Sequence, residues 1–246
     1  RGEVDELPYI LQMTGICLLD DEILLVSQED MSCAFYLFRL PSEWAKYFAV
    51  GQRCKFSDLE GNSEAAKEST KLAGSFGTAG YGYLCLIVLP MGWASAVGIM
   101  QAIHRRLMTM PKPLGAGLPT ANEIRKTSVL PTTADQRLAA AWQVYLDNLA
   151  MVEVELRKNL PQLEGDMSDW HKAARSAWEK WGIPSAKDKS VAQNLKAKEL
   201  GCFIDGDNGL LGTDIGRRLT VIMVTLFLIG SPNPHRLWLA LVAGRW

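Results

Sequence analysis

Apolar and polar positions alternate along this chain in short blocks. The clearest block is residues 142–154, WQVYLDNLAMVEV, in which Trp, Val, Tyr and Leu run up to Asp147-Asn148 and apolar residues resume directly after it. That pattern predicts a β-hairpin with an acidic tip, because β-branched and aromatic residues favour strands and Asp and Asn tolerate the positive φ of a two-residue turn. Residues 22–27 (EILLVS) predict a short strand that delivers Gln28, Glu29 and Asp30 to its C-terminal end. Residues 31–40 predict one or two helical turns, Pro41-Ser42-Glu43 signals a further helix start, and residues 47–50 resume a strand. Residues 83–90 (YLCLIVLP) form a continuous apolar run of the kind found in a buried strand. Residues 93–110 read as a helix buried on one side, with Gln101, His104, Arg105 and Arg106 sharing its polar face.

Further along, residues 134–141 predict a short helix leading into the hairpin, and residues 166–181 an amphipathic helix ended by Gly182 and Pro184. Residues 187–199 are basic and polar, residues 200–209 predict a second small hairpin, and residues 213–228 and 235–242 two closing helices. Between residues 51 and 82 the composition shifts to Ser, Glu, Lys, Gly and Ala, which predicts a surface insertion. Its glycine-rich tail, GSFGTAGYG, is followed by neither Lys-Ser nor Lys-Thr and reads as a linker, not a phosphate cradle. Strands and helices come in mixed order without a repeat, so an α+β fold or an open α/β palm is expected over a barrel of eight repeats.

Composition narrows the function classes. With 246 residues, 48% hydrophobic and 22% charged, the chain can build one large or two small cores. A net charge of -1 provides no global basic field. A nucleic-acid partner would have to be held by local patches such as Arg105-Arg106 or Arg217-Arg218. The five cysteines, Cys17, Cys33, Cys54, Cys85 and Cys202, lack C-x-x-C spacing, so neither a zinc site nor a disulfide framework is expected. They fit an intracellular setting, cytoplasm or nucleus. The apolar runs at residues 83–90 and 220–230 fall short of the roughly 20 residues that span a bilayer, so no membrane partner is expected. The opening RGEVDELPYI, without a starting Met, and the closing LVAGRW read as cut ends of something longer.

Candidate chemistry concentrates on Asp30 and Asp147, which end or divide apolar strands. Two carboxylates about 4 Å apart repel by roughly 4 kcal/mol at an effective dielectric near 20, so a pair brought together by neighbouring strands calls for a proton or a cation between them. A divalent metal is the natural answer. His104, His171 and His235 have no mutual spacing for a metal or a nucleophile pair and read as helix-surface or interface residues.

DMSCAFYLFRL at residues 30–40, LPMGW at 89–93 with Gln101 behind it, YLDN at 145–148, WGIPSAKDK at 181–189 and LGCFIDG at 200–206 stand in the order and approximate spacing of the palm motifs of reverse transcriptases. Over residues 22–209 the chain resembles a retrotransposon-type reverse transcriptase. The resemblance implies a right-hand polymerase palm with partial fingers over residues 1–209, interrupted by the insertion, and a helical thumb or connection fragment at 210–246. It implies an RNA-directed DNA polymerase working by two-metal nucleotidyl transfer, with two Mg2+ ions (Mn2+ possible), an RNA or DNA template, a DNA primer and deoxynucleoside triphosphates.

On this chain's positions, Asp30 matches the first metal-binding aspartate and Asp147 the first aspartate of the Tyr-x-Asp-Asp hairpin. Asn148 stands at the second, where its amide oxygen can still face a metal with one negative charge fewer. Phe35 falls beneath the incoming sugar, and Met91 and Gly92 in the turn that supports the nascent base pair. Gln101 lies on the helix that follows, as a helix cap or template-side contact. Lys187 and Lys189 both match the general acid for departing pyrophosphate, and Leu200, Gly201 and Cys202 the primer grip. The resemblance further implies that Asn148→Asp raises activity or lowers the magnesium requirement. A second expectation stays open beside the first, a catalytically decayed palm that keeps the fold and does not polymerise.

Overall fold

The computed structural model describes residues 7–55, 81–127, 130, 137–213 and 215–230. In chain order the strands are β1 (Glu22–Asp30), β2 (Ala49–Lys55), β3 (Tyr81–Cys85), β4 (Ala140–Tyr145), β5 (Asn148–Leu156), β6 (Val191–Asn194), β7 (Lys196–Glu199), β8 (Cys202–Asp205) and β9 (Leu210–Thr213). The helices are α1 (Ala34–Leu37), α2 (Ala94–Thr109), α3 (Leu160–Leu163), α4 (Asp169–Lys180) and α5 (Ile215–Gly230). The fold is therefore mixed α+β. The chain forms two compact units, one made of Arg1–Ser32 with Gln101–Trp246 and one of Cys33–Met100.

The first unit is built on a four-stranded antiparallel sheet of order β4-β5-β1-β6. Successive residues of a strand point to opposite faces, and here both faces are covered, which is why β1 is buried along almost its whole length. On one face Leu24, Val26, Ala141 and Val152 join Ala197 and Ile204 of the antiparallel β7-β8-β9 meander, together with Ile10 and Met13, in one apolar cluster. Gly206 permits the close approach of the β8–β9 turn: its carbonyl accepts from the Leu24 amide at 2.9 Å, and a Cβ at that position would come within 1.8 Å of the Leu24 carbonyl oxygen. The other face carries Ile23, Leu25, Trp142, Val144, Leu149 and Met151, all buried. Trp142 satisfies its indole N–H on the Pro119 carbonyl at 2.8 Å.

Helix α4 starts where Ser168 caps it, the Ser168 hydroxyl accepting from the His171 amide at 3.2 Å. It buries His171, Ala174, Ala177 and Trp178 along one stripe and ends before Gly182, whose φ of 66 turns the chain away. Helix α2 departs from the expected polarity. Gln101 and His104 are 1% and 0% exposed and lie on the inward stripe with Leu107 and Met108. Only Arg106 of the four expected polar-face residues is exposed, while Arg105 forks onto the buried Glu123 carboxylate, its Nη2 at 2.9 Å from Oε2. Arg105 is thereby spent on the core and not offered to a polyanion.

The second unit holds α1, a 3-10 segment Ser42–Tyr47 and the antiparallel pair β2–β3, with Trp93 edge-on to Trp44 and Phe48 at 5.9 and 5.1 Å. The apolar run 83–90 is not a buried strand: β3 covers only its first three residues, and Tyr83, Leu84, Leu86 and Ile87 are exposed. Among the described residues β3 pairs with β2 alone, so a two-stranded ribbon carries this run, with Leu89 its one deeply buried large side chain. Residues 51–55 and 81–82 of the expected insertion are strand, and residues 56–80 lie outside the described residues. So do the expected helix at 235–242, His235 and part of the expected helix at 134–141, whose Ala140 and Ala141 belong to β4. The basic stretch 187–199 holds two strands, β6 and β7, that its composition did not suggest. Among the described residues no helix is long and apolar enough to cross a membrane.

Candidate functional site

Antiparallel pairing of β1 with β5 runs in unbroken register from Glu22↔Leu156 to Asp30↔Asn148. The register places the end of β1 beside the start of β5, and the Met31 amide donates to the Asp147 carbonyl at 3.0 Å, closing the ladder. Asp30 and Asp147 therefore stand together at one sheet end. The Asp147 carboxyl is pushed above the usual carboxylate range, first by burial and then by the negative charge of Asp30. Lys189 reaches across from the 184–190 segment, its Nζ donating to both Asp30 oxygens at 3.1 and 3.2 Å. That hydrogen bond and the Asp30 charge raise the Lys189 ammonium above its ordinary range. Of the two lysines matched to a general acid, Lys189 holds Asp30, and Lys187 is exposed on the same turn.

The hairpin tip differs from the expected one by a residue. Tyr145 pairs with Asn148, so the two-residue turn is Leu146-Asp147, and Asn148 opens β5. Leu146 sits at φ 57, a conformation that costs a bulky residue roughly 1–3 kcal/mol. Two buried residues of α2 hold it there. The Leu146 amide donates to Gln101 Oε1 at 2.8 Å, Gln101 Nε2 donates to the Val144 carbonyl at 2.8 Å, and His104 Nδ1 donates to the Leu146 carbonyl at 2.7 Å. Both polar ends of the Gln101 amide are consumed behind the turn, so Gln101 supports Asp147 and is not a template-side contact or a helix cap. His104 and His171 are likewise interior residues, not surface ones.

A third carboxylate lies on the same face of the sheet as Asp30 and Asn148. Glu199, the last residue of β7, is 1% exposed and accepts from Gln143 Nε2 at 3.0 Å, Gln28 Nε2 at 2.6 Å and Asn148 Nδ2 at 3.2 Å. Burial raises its carboxyl above the usual range, against the pull of these three amides, and Asp30 adds to the rise. Leu200-Gly201, expected in the primer grip, is the β7–β8 turn with φ 46 and 81, the paired positive values of a type I′ hairpin. Leu200 and Cys202 pack against the apolar cluster, and Gly201 is exposed.

Beneath Asp30, Glu29 is 1% exposed on the opposite face. It accepts from His171 Nε2 at 2.8 Å, from the Ser190 hydroxyl at 2.9 Å and from the Ser185 hydroxyl. Burial works against its ionisation, but these hydrogen bonds prevail and hold the carboxyl below its usual range. Ser185 and Ser190 bracket Lys189, and the Ala186 amide donates to the Asp30 carbonyl at 2.8 Å, so the segment carrying the lysine is fastened at both feet.

Phe35, Met91 and Gly92 belong to the second unit. Phe35 is half-buried in α1, Met91 is exposed, and Gly92 turns at φ 89 with open space where a Cβ would stand. Sequence alone does not single out Glu199, places Glu29 only at the strand end beside Asp30, and reads His104 as a helix-surface or interface residue. The signal for Glu199 was present in KAKE, where alternation puts Glu199 on the same face as the apolar Ala197.

The donor set at the sheet end is oxygen-only. Among the described residues no three His, Cys, Asp or Glu side chains converge as ligands. Mg2+ takes one or two protein carboxylates and completes its shell with water and substrate phosphates, which suits the paired Asp30 and Asp147. Compared with models of known protein families and with curated protein sequences, the chain matches none.

Proposed function

We propose that this chain is a reverse transcriptase-type nucleotidyltransferase, extending a DNA primer on an RNA or DNA template, with Asp30 and Asp147 as the metal-holding pair. The observation that carries the reading is the β1–β5 register, which sets the Asp30 carboxylate at the end of β1 beside the turn residue Asp147 that precedes β5, their charges opposing each other. The order of the five sequence motifs supplies the reaction class. Magnesium held by these carboxylates would supply the charge neutralisation that phosphoryl transfer requires. Lys189, already poised on Asp30, is the residue to deliver a proton to departing pyrophosphate, and Asn148 presents its amide beside the same pair. Phe35, Met91 and Gly92 carry the sugar and base-pair contacts of this proposal, and Leu200, Gly201 and Cys202 the primer contact.

Primer extension with Mg2+ or Mn2+ and all four deoxynucleoside triphosphates is expected to give template-dependent products; folded protein without incorporation would reject the reading. Lys189→Ala should lower the single-turnover rate by about 10²-fold and Lys187→Ala by less than about 3-fold. Equal effects of the two would remove Lys189 from the chemistry.

A second reading, a palm that keeps its fold without polymerising, is favoured by two specific contacts. The Lys189 ammonium sits on Asp30, where a cation would bind, and Asn148 spends its amide N–H on Glu199.

A further inference from the structure

We infer that Glu199 is a positioning residue matched to Asn148, so that this site admits one negative charge across the two positions and not two. Glu199 receives an amide on each oxygen, and its Oε2 receives two: Gln28 Nε2 at 2.6 Å and Asn148 Nδ2 at 3.2 Å. The Gln28 amide is spent, since its Nε2 also donates to the Lys198 carbonyl at 2.8 Å. A carboxylate accepts and cannot donate, so Asn148 meets Glu199 only with its N–H2, which turns its Oδ1 away from Glu199. Glu199 thereby fixes which end of the Asn148 amide is presented at the sheet end where Asp30 and Asp147 stand.

An aspartate at position 148 would set two acceptor-only groups against each other beside a residue that is 1% exposed, away from the water that would screen them. Asn148→Asp is therefore harmful in this chain, contrary to the gain that motif matching suggests. The negative charge is movable, however. In the Asn148→Asp/Glu199→Gln double variant, the amide introduced at position 199 can donate to the carboxylate introduced at position 148 and still accept from Gln143, at the cost of the Gln28 hydrogen bond to position 199, since two N–H groups would then face each other there. Glu199→Gln alone is also accommodated, because Gln143 Oε1 is buried without a hydrogen-bond partner among the described residues and can accept from the introduced amide once the Gln143 amide turns over.

The test is a double-variant cycle on the full chain, read first by thermal unfolding without metal and then by primer extension. Asn148→Asp should lower Tm by about 5 °C or more, Glu199→Gln by about 2 °C or less, and the double variant should recover more than half of the Asn148→Asp loss. A loss from Asn148→Asp that is the same in the Glu199→Gln background, or no loss at all, overturns the pairing. The activity arm rests on the polymerase reading. There Asn148→Asp should reduce incorporation about 10-fold or more, and the double variant should restore it to within about 3-fold. Coupling in Tm with no incorporation by any form upholds the pairing and rejects the polymerase reading, so the two failures are distinguishable. Asn148→Asp that raises incorporation at unchanged Tm overturns the pairing and keeps the polymerase.

Discussion

Asp147→Asn is expected to reduce primer extension by at least about 10³-fold, corresponding to roughly 4 kcal/mol of transition-state stabilisation, while Tm holds or rises. The two effects have one cause. Asp147 is half-buried and faces the like charge of Asp30, which is why its carboxyl is pushed above the ordinary range. An amide of the same shape removes both the burial penalty and the repulsion, so the folded chain is relieved at the point where cation binding is lost. The backbone contacts that build the turn are untouched: the Asp147 carbonyl still accepts from Met31, and Leu146 still meets Gln101 and His104. Asp30→Asn should lose activity to the same degree but release Lys189, whose ammonium rests on both Asp30 oxygens. Circular dichroism, Tm and single-turnover incorporation on the same preparations check this. If Asp147→Asn keeps incorporation within about 10-fold of the parent, the carboxylate pair is not the catalytic centre.

The strands that carry this pair were legible because both are long, apolar and interrupted by acids where they end. β1 and the hairpin of β4 and β5 follow the expected positions, and α2 lies within a residue of its expected ends. Three things were not legible, each for a physical reason. The hairpin tip slipped by one residue because Asp-Asn has the better turn chemistry. Leu146 takes the positive φ instead, held by tertiary hydrogen bonds that no local pattern encodes. Gln101 and His104 were assigned to a solvent face because amphipathic periodicity sorts residues by polarity, and a buried, fully bonded amide or imidazole is invisible to it. Strand β7 was hidden because its outward positions are Lys196 and Lys198, so four residues that bury Ala197 and Glu199 read as a basic loop. The supports of the candidate site lay outside sequence reasoning to a greater degree than its carboxylates did. They are polar groups whose partners are distant in the chain.

His104→Asn should remove a stability loss of about 3 kcal/mol that the parent chain suffers between pH 6.5 and about pH 4. The His104 Nδ1–H is committed to the Leu146 carbonyl, which fixes the neutral tautomer, and Nε2 is buried with no hydrogen-bond partner among the described residues. Burial lowers its pKa from 6.5 to about 4, against the smaller opposing effect of the Leu146 carbonyl. The unfolded chain therefore takes up a proton near pH 6.5 that the folded chain refuses until about pH 4. Unfolding gains by that proton as the pH falls through this window, and below it the loss is complete. Asparagine places an N–H near the position of Nδ1 and does not titrate, so it keeps the turn contact and abolishes the linkage. The comparison must be a difference between the two proteins at each pH. Glu29 also loses stability on acidification, whereas Asp147 and Glu199, with raised values, shift the balance the other way. In urea unfolding the variant should gain about 3 kcal/mol on the parent between pH 7 and pH 4; parallel profiles would show that His104 does not titrate with folding. Because the same imidazole holds the turn that carries Asp147, incorporation by the parent should fail at acid pH in step with this loss. His104→Asn should keep its activity to lower pH.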